Sequence, residues 1–388
     1  MKSRSYIFLL ITILLLNYGC TEIIEVNTQD FENILVINAN ITDKNTKHEI
    51  TLTRTYEAGS TNLNETGASV FVIDNLDNLF QFIEETSGNY ISNEPFNVIQ
   101  GRSYQLNVTT KDGNQYYSDF VAPIANAKIE DLRAEFSVDE LGNEGVAIKI
   151  DGYDPENKAK YFRFEYEETY LIESAIVSYS KLNIISENPP EVEIITESIQ
   201  NTLCYNTLFS NEILTISTEQ EVESRFTNYQ LKFISKNDFR IRNRYSLLVH
   251  QYVQSREANS FYSTLKDFAS SDNLLSQTQP GFITGNIKSK NSAEKVIGFF
   301  EVSTVNSKRI FFNYDDVIPP GARANYPFDC TPLKFTPNEI GDMINLLKTN
   351  NYVFTSFNYV GSVYSIVNRP CIDCTVLGVK EKPEFWID

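Results

Sequence analysis

The chain has 388 residues, enough for two or three domains that each bury a core. A hydrophobic fraction of 41% and an aromatic fraction of 13%, with 26 Phe and 22 Tyr against 2 Met and 1 Trp, favour half-buried strands over helices. Acidic residues outnumber basic ones 51 to 33, for a net charge of −18, which argues against phosphate neutralisation and so against nucleic acid as a partner.

Lys2 and Arg4 precede an apolar run from Ile7 to Leu16, interrupted by Thr12 alone. The run is too short to span a bilayer and has the build of a signal-peptide core, so residues 1–19 read as a lipoprotein signal peptide. It ends Leu16-Asn17-Tyr18-Gly19-Cys20, a small residue before a cysteine, which resembles the lipobox of bacterial lipoproteins. Asn17 stands where that pattern usually has Leu. The expectation is cleavage before Cys20 and lipidation of the Cys20 thiol by palmitate-type chains, the competing reading being an ordinary secretory signal with Cys20 a structural thiol. Thr21 is not the aspartate associated with inner-membrane retention. The expected location is therefore the outer membrane, on either its periplasmic or its cell-surface face. Residues 20–33 are polar and read as a tether.

Short alternating runs follow: Ile34 to Ile41, His48 to Tyr56, Ala68 to Ile73, Leu79 to Glu84 and Tyr90 to Ile91. Tyr104, Leu106 and Val108 alternate with Gln105, Asn107 and Thr109, and the Asp112-Gly113 turn returns the chain as Gln115 to Val121. Residues 34–124 thus predict an Ig-like or transthyretin-like β-sandwich. Tyr104, two residues before an inward Leu, is placed to form a tyrosine corner, its hydroxyl bonded to nearby backbone.

Residues 125–388 predict a larger β-rich domain. Ile129 to Val138, Gly145 to Ile150, Tyr161 to Ile172, Tyr229 to Ile234 and Arg244 to Tyr252 read as strands, and residues 183–200 as an exposed insertion. The acidic stretch Asp151 to Asn157 fits an Asp-Pro turn better than a calcium loop, because its spacing matches no EF-hand. Val296 to Ser303 and Arg309 to Tyr314 predict a hairpin turning near Asn306-Ser307. Two short amphipathic helices are expected near 255–270 and 337–348. The first has Ser255 as N-cap and an apolar face of Ala258, Phe261, Tyr262 and Leu265; the second opens on the capping box Thr336-Pro337-Asn338-Glu339.

With Cys20 lipidated, Cys204, Cys330, Cys371 and Cys374 remain, an even set in an oxidising compartment, and disulfides are the default. Three pairings are open, with Cys371 and Cys374 either closing on each other or one of them tied back to Cys330. No catalytic motif appears: there is no Gly-x-Ser-x-Gly elbow, HExxH, Walker loop or dinucleotide fingerprint. The two histidines, His48 and His250, each lie within a predicted strand. Glu167 and Glu168 are adjacent and would face opposite sides of one. No catalytic, cofactor or metal residues are assigned.

Several segments resemble one family. They are Ile34-Leu35-Val36-Ile37-Asn38-Ala39 after the lipobox, Cys204-Tyr205, Arg244-Tyr245-Ser246-Leu247-Leu248-Val249, and Gln279-Pro280-Gly281-Phe282-Ile283-Thr284-Gly285-Asn286-Ile287. Glu294-Lys295-Val296-Ile297-Gly298-Phe299-Phe300 and the ending from Cys371-Ile372-Asp373-Cys374 to Lys382-Pro383-Glu384-Phe385-Trp386 complete the set. Together they resemble the Bacteroidetes lipoproteins of the domain-of-unknown-function 4249 family. The resemblance implies no catalytic residues. It implies an accessory or ligand-capture role beside a TonB-dependent outer-membrane receptor. The other readings are a hydrolase of envelope or extracellular polymers, which needs two carboxylates, or a nucleophile and His250, converging in a cleft of the second domain, and a structural or adhesive surface protein.

Overall fold

The computed structural model describes residues 33–55, 63–197, 201–270, 283–291 and 294–388. The expected signal peptide, Cys20 and nearly all of the expected tether lie outside the described residues. The protein is mainly β. Its first eight strands are β1 (Leu35–Thr42), β2 (Glu49–Arg54), β3 (Leu63–Asn64), β4 (Ser69–Asp74), β5 (Leu79–Thr86), β6 (Asn89–Ser92), β7 (Tyr104–Thr109) and β8 (Gln115–Ser118). Burial alternates residue by residue in β4, β6, β7 and β8, because successive side chains point to opposite faces. Inward residues such as Leu35, Ile37, Leu52, Val72, Tyr90 and Leu106 form one core. Tyr104 is fully buried and its hydroxyl accepts the Ile99 N–H at 2.8 Å, the expected tyrosine corner.

The chain continues through β9 (Lys128–Val138), β10 (Glu144–Asp154), β11 (Tyr161–Glu173), β12 (Lys181–Glu187), β13 (Pro190–Ile195), β14 (Leu203–Phe209), β15 (Leu214–Ser217), β16 (Ser224–Ser235) and β17 (Arg244–Gln254). Helix α1 (Arg256–Ser270), β18 (Ile287–Ser289), β19 (Val296–Asn313), the four-residue α2 (Tyr314–Val317), β20 (Leu333–Phe335), α3 (Ile340–Lys348), β21 (Tyr352–Asn358) and β22 (Val363–Asn368) complete it. The three-stranded sheet β16-β10-β9 contributes Val146, Ile148, Ile150 and Phe226 to a second core, against Phe162, Phe164 and Val249 from β11 and β17. β10 runs on through Gly152 to Asp154, past the start of the expected acidic loop, with a register shift at Gly152. Asp154 then closes the turn by accepting the N–H groups of Glu156, Lys158 and Ala159, which leaves its carboxylate occupied by backbone.

One strand joins the two cores. β19 is continuous for 18 residues, so the hairpin expected at Asn306-Ser307 is absent. The polar doublet that reads as a turn sits inside a ladder, with Asn306 opposite Gln251 and Ser307 opposite His250. Residues 296–303 pair in parallel with β1, and residues 304–313 pair antiparallel with β17. Val296, Phe300 and Val302 enter the first core, while β18 pairs with β8. The first sheet is therefore completed by strands beyond residue 124. Where β19 lacks a ladder partner, the Asn286 side chain substitutes: its amide donates to the Phe300 carbonyl and accepts the Phe300 N–H.

The helices form as their caps and apolar stripes dictate. Ser255 Oγ accepts the Ala258 N–H at 3.0 Å, and Ala258 and Phe261 pack on Phe299. Thr336 and Glu339 form the capping box ahead of α3, whose Met343 is buried against Phe354 and Ile366. Residues 181–195, overlapping the 183–200 region expected to be an exposed insertion, form the β12-β13 hairpin, whose Leu182, Val192 and Ile194 cover the same cluster. No helix among the described residues is long and apolar enough to cross a membrane.

Candidate functional site

The strand order β11-β17-β19 places odd-numbered residues of β11 and β19 and even-numbered residues of β17 on one outer face. On β19, Ile297, Phe299 and Glu301 share the face that α1 covers; on β11, Arg163, Glu165 and Glu167 do so. Between them lies a cavity of about 290 Å³ at the seam where β19 changes partner. Val36, Ile37, Ile297 and Phe299 form one wall, and Phe261, Tyr262 and Leu265 of α1 another. The segment Ser210 to Ile213 closes a third, held to β11 through paired bonds between Ser210 and Tyr166. The cavity also requires Gly298: its φ is +155°, and a Cβ there would stand 2.2 Å from the Ile37 carbonyl oxygen.

The polar end is built on Arg163. Its guanidinium donates from Nε and Nη2 to Glu301 Oε2 at 3.3 and 3.1 Å, and from Nη1 to Glu165 Oε1. Tyr252 donates to the other Glu165 oxygen at 3.0 Å. The rings of Tyr252 and Tyr262 lie against the guanidinium, with Cζ 4.5 and 4.9 Å from their centroids. The Arg163 and Glu301 side chains are only 8% and 2% exposed. Burial alone would lower the pKa of Arg163, but Glu301, Tyr262 and Glu165 hold it above its ordinary value. Burial would raise the Glu165 carboxyl, yet the Arg163 charge and hydrogen bond and the Tyr252 hydroxyl keep it below the ordinary range. Burial and the nearby Glu301 carboxylate push the Tyr262 phenol up. Glu301 Oε1 is buried with no hydrogen-bond partner among the described residues, an arrangement that costs about 1–3 kcal/mol or more for a charged group.

Further along the same face, Ser307 Oγ lies 2.7 Å from His250 Nδ1, and His250 Nε2 lies 3.4 Å from Glu167 Oε1. This is a serine–histidine–carboxylate row on a sheet surface. Glu168, the neighbour of Glu167, points inward to Tyr245, Lys232 and Arg240, so the two carboxylates do face opposite ways. His48 is buried, with Nε2 2.9 Å from the Phe96 carbonyl, and belongs to the first core.

The four cysteines form two bonds, Cys204–Cys374 and Cys330–Cys371. The Cys-x-x-Cys pair does not close on itself; each member is tied elsewhere. Cys330–Cys371 ties the C-terminal segment to the stretch before β20, and Cys204–Cys374 fastens it to β14, where Gly378 is needed because a Cβ would meet the Tyr205 carbonyl oxygen at 2.4 Å. Among the described residues no group of three potential ligands could hold a metal ion.

The Arg163 centre escapes motif reading because its members come from β11, β17, α1 and β19. The available signal is the alternation Arg163, Glu165, Glu167 between Phe162, Phe164 and Tyr166: a charged face opposite an aromatic one, over more strand than a solvated edge needs.

Comparison with known proteins places the chain. Residues 21–309 match the family described as "Domain of unknown function (DUF4249)", and the chain belongs to that family. The ending from Cys371 to Trp386 lies beyond the matched stretch. No curated protein matches. Among solved structures, the chain is similar to a DUF4785 family protein from Legionella pneumophila at 9% identity, with a TM-score of 0.15, covering 55% of this chain and 49% of that one. The chain thus spans about half the length of that relative.

Proposed function

We propose that this protein is a non-enzymatic capture protein, anchored to the outer membrane through lipidated Cys20 and serving a TonB-dependent receptor. The observation that carries the capture reading is the seam cavity: apolar walls, a charged end and a size at the lower edge of the small-ligand range. The lipobox-like Leu16 to Cys20 segment supports the anchor, and the family resemblance supports the receptor. In this account, α1 and the Ser210 to Ile213 segment hold a small molecule for transfer, and chemistry on it is left to others. The test is cross-linking in intact cells, followed by recovery of the tagged protein. One receptor recovered in stoichiometric amount supports the role. Recovery of the lipoprotein alone, together with a Cys20→Ala protein that stays membrane-bound, overturns it.

The Ser307–His250–Glu167 row supports a second reading, hydrolysis, since a base within reach of a hydroxyl is the first requirement of nucleophilic catalysis. A fluorophosphonate that labels the protein but not a Ser307→Ala variant would favour that reading over capture.

A further inference from the structure

We infer that the seam cavity selects a small amphiphile with a cationic head, its apolar body held between α1 and β19 and its head at Glu165. This rests on reading the cavity as a binding site and adds the class of ligand. Arg163 is the one cation among the described lining residues, and it is already committed to Glu165 and Glu301. Glu212 is the second lining carboxylate beside Glu165, and with Glu301, the buried partner of Arg163, three acidic groups stand against one guanidinium. Glu165 lines the cavity and its side chain is 46% exposed, so its carboxylate can meet a ligand. Glu301, two residues beyond Phe299 on the same face, adds a nearly inaccessible charge whose Oε1 is unpartnered. An anionic head would add like charge at a partly desolvated site, whereas a cation is attracted there. Tyr262 lines the cavity beside the same carboxylates, and aromatic surface of this kind is where ammonium and guanidinium groups are held. Phe261, Leu265 and Phe299 supply the apolar contact.

The experiment is calorimetric titration of the full-length protein with octylammonium, octanol and octanoate, three probes that share one chain and differ in head charge. Octylammonium is expected to bind about tenfold or more tighter than either of the others, a ratio worth about 1.4 kcal/mol. In Glu165→Gln the preference should fall to about threefold or less, with octanol binding retained. Glu212→Gln, a change at an exposed side chain, should weaken octylammonium alone. Leu265→Trp fills the apolar end without altering charge and should abolish binding of all three. Equal binding of the three probes, blocked by Leu265→Trp, would overturn the cationic preference and leave the cavity reading standing. Octylammonium binding that survives Leu265→Trp would mean attraction to the acidic surface, overturning the inference. Failure of all three to bind would overturn both.

Discussion

Arg163 and Glu301 lie 138 positions apart in sequence and meet as a buried ion pair across the end of β17, joining β11 of the second core to the half of β19 that belongs to the first. Breaking such a pair from one side strands a charge, at about 3–5 kcal/mol, whereas removing both members costs far less. Glu301→Leu and Arg163→Met are therefore expected to destabilise strongly one at a time, and the double variant less than their sum. Urea unfolding of the four proteins closes the cycle. Additive losses would show that the pair does not couple the two halves.

Tyr104→Phe removes the acceptor for the Ile99 N–H. Ile99 is itself exposed, so the loss is that of one part-buried hydrogen bond, about 0.5–1.5 kcal/mol. The expected result is a lower urea midpoint with an unchanged slope, because the loss is local. An unchanged midpoint would mean that the corner is ornamental.

Peptide mapping without reduction should recover Cys204 with Cys374 and Cys330 with Cys371, and no peptide closed between Cys371 and Cys374. The Cys204–Cys374 bond spans 170 positions, so its loss should cost stability at the upper end of the usual 2–5 kcal/mol. Comparing thermal midpoints of the oxidised protein and a variant carrying Cys204→Ala with Cys374→Ala measures that loss.

His48 supplies a pH dependence. Burial holds its pKa below the ordinary 6.5, with the Phe96 carbonyl opposing in part. The unfolded chain then binds a proton that the folded one refuses, so stability is complete above pH 6.5 and falls as pH drops from there towards the folded value. Asp74 acts lower: Asn78, Leu76 and Arg102 outweigh burial and depress its pKa below the ordinary 3.8, so its contribution disappears only as pH falls through that lower value. His48→Gln should flatten the stability curve just below pH 6.5 and leave the strongly acidic limb intact. Thermal melts across about pH 2 to 8 distinguish the two limbs.

Local signals carried most of what was legible beforehand. Ser255, Thr336 and Glu339 announce their helices because a cap needs only residues within one turn, and Asp112-Gly113 announces its turn for the same reason. Asn306-Ser307 misleads because polarity marks a turn and an exposed ladder position equally; only the partners β1 and β17 distinguish them. The apolar alternation of residues 183–195 is too weak to reveal that the hairpin shields α3. The Arg163 end of the cavity was hidden most completely, since Arg163, Tyr252, Tyr262 and Glu301 become neighbours only after two sheets share one strand.

The most direct measurement is native mass spectrometry of the protein purified gently from the cells that make it, beside a Leu265→Trp variant prepared identically. The account predicts a bound small molecule on the wild-type protein and a bare variant of equal stability. The same bound mass on both would contradict the seam cavity as the ligand site.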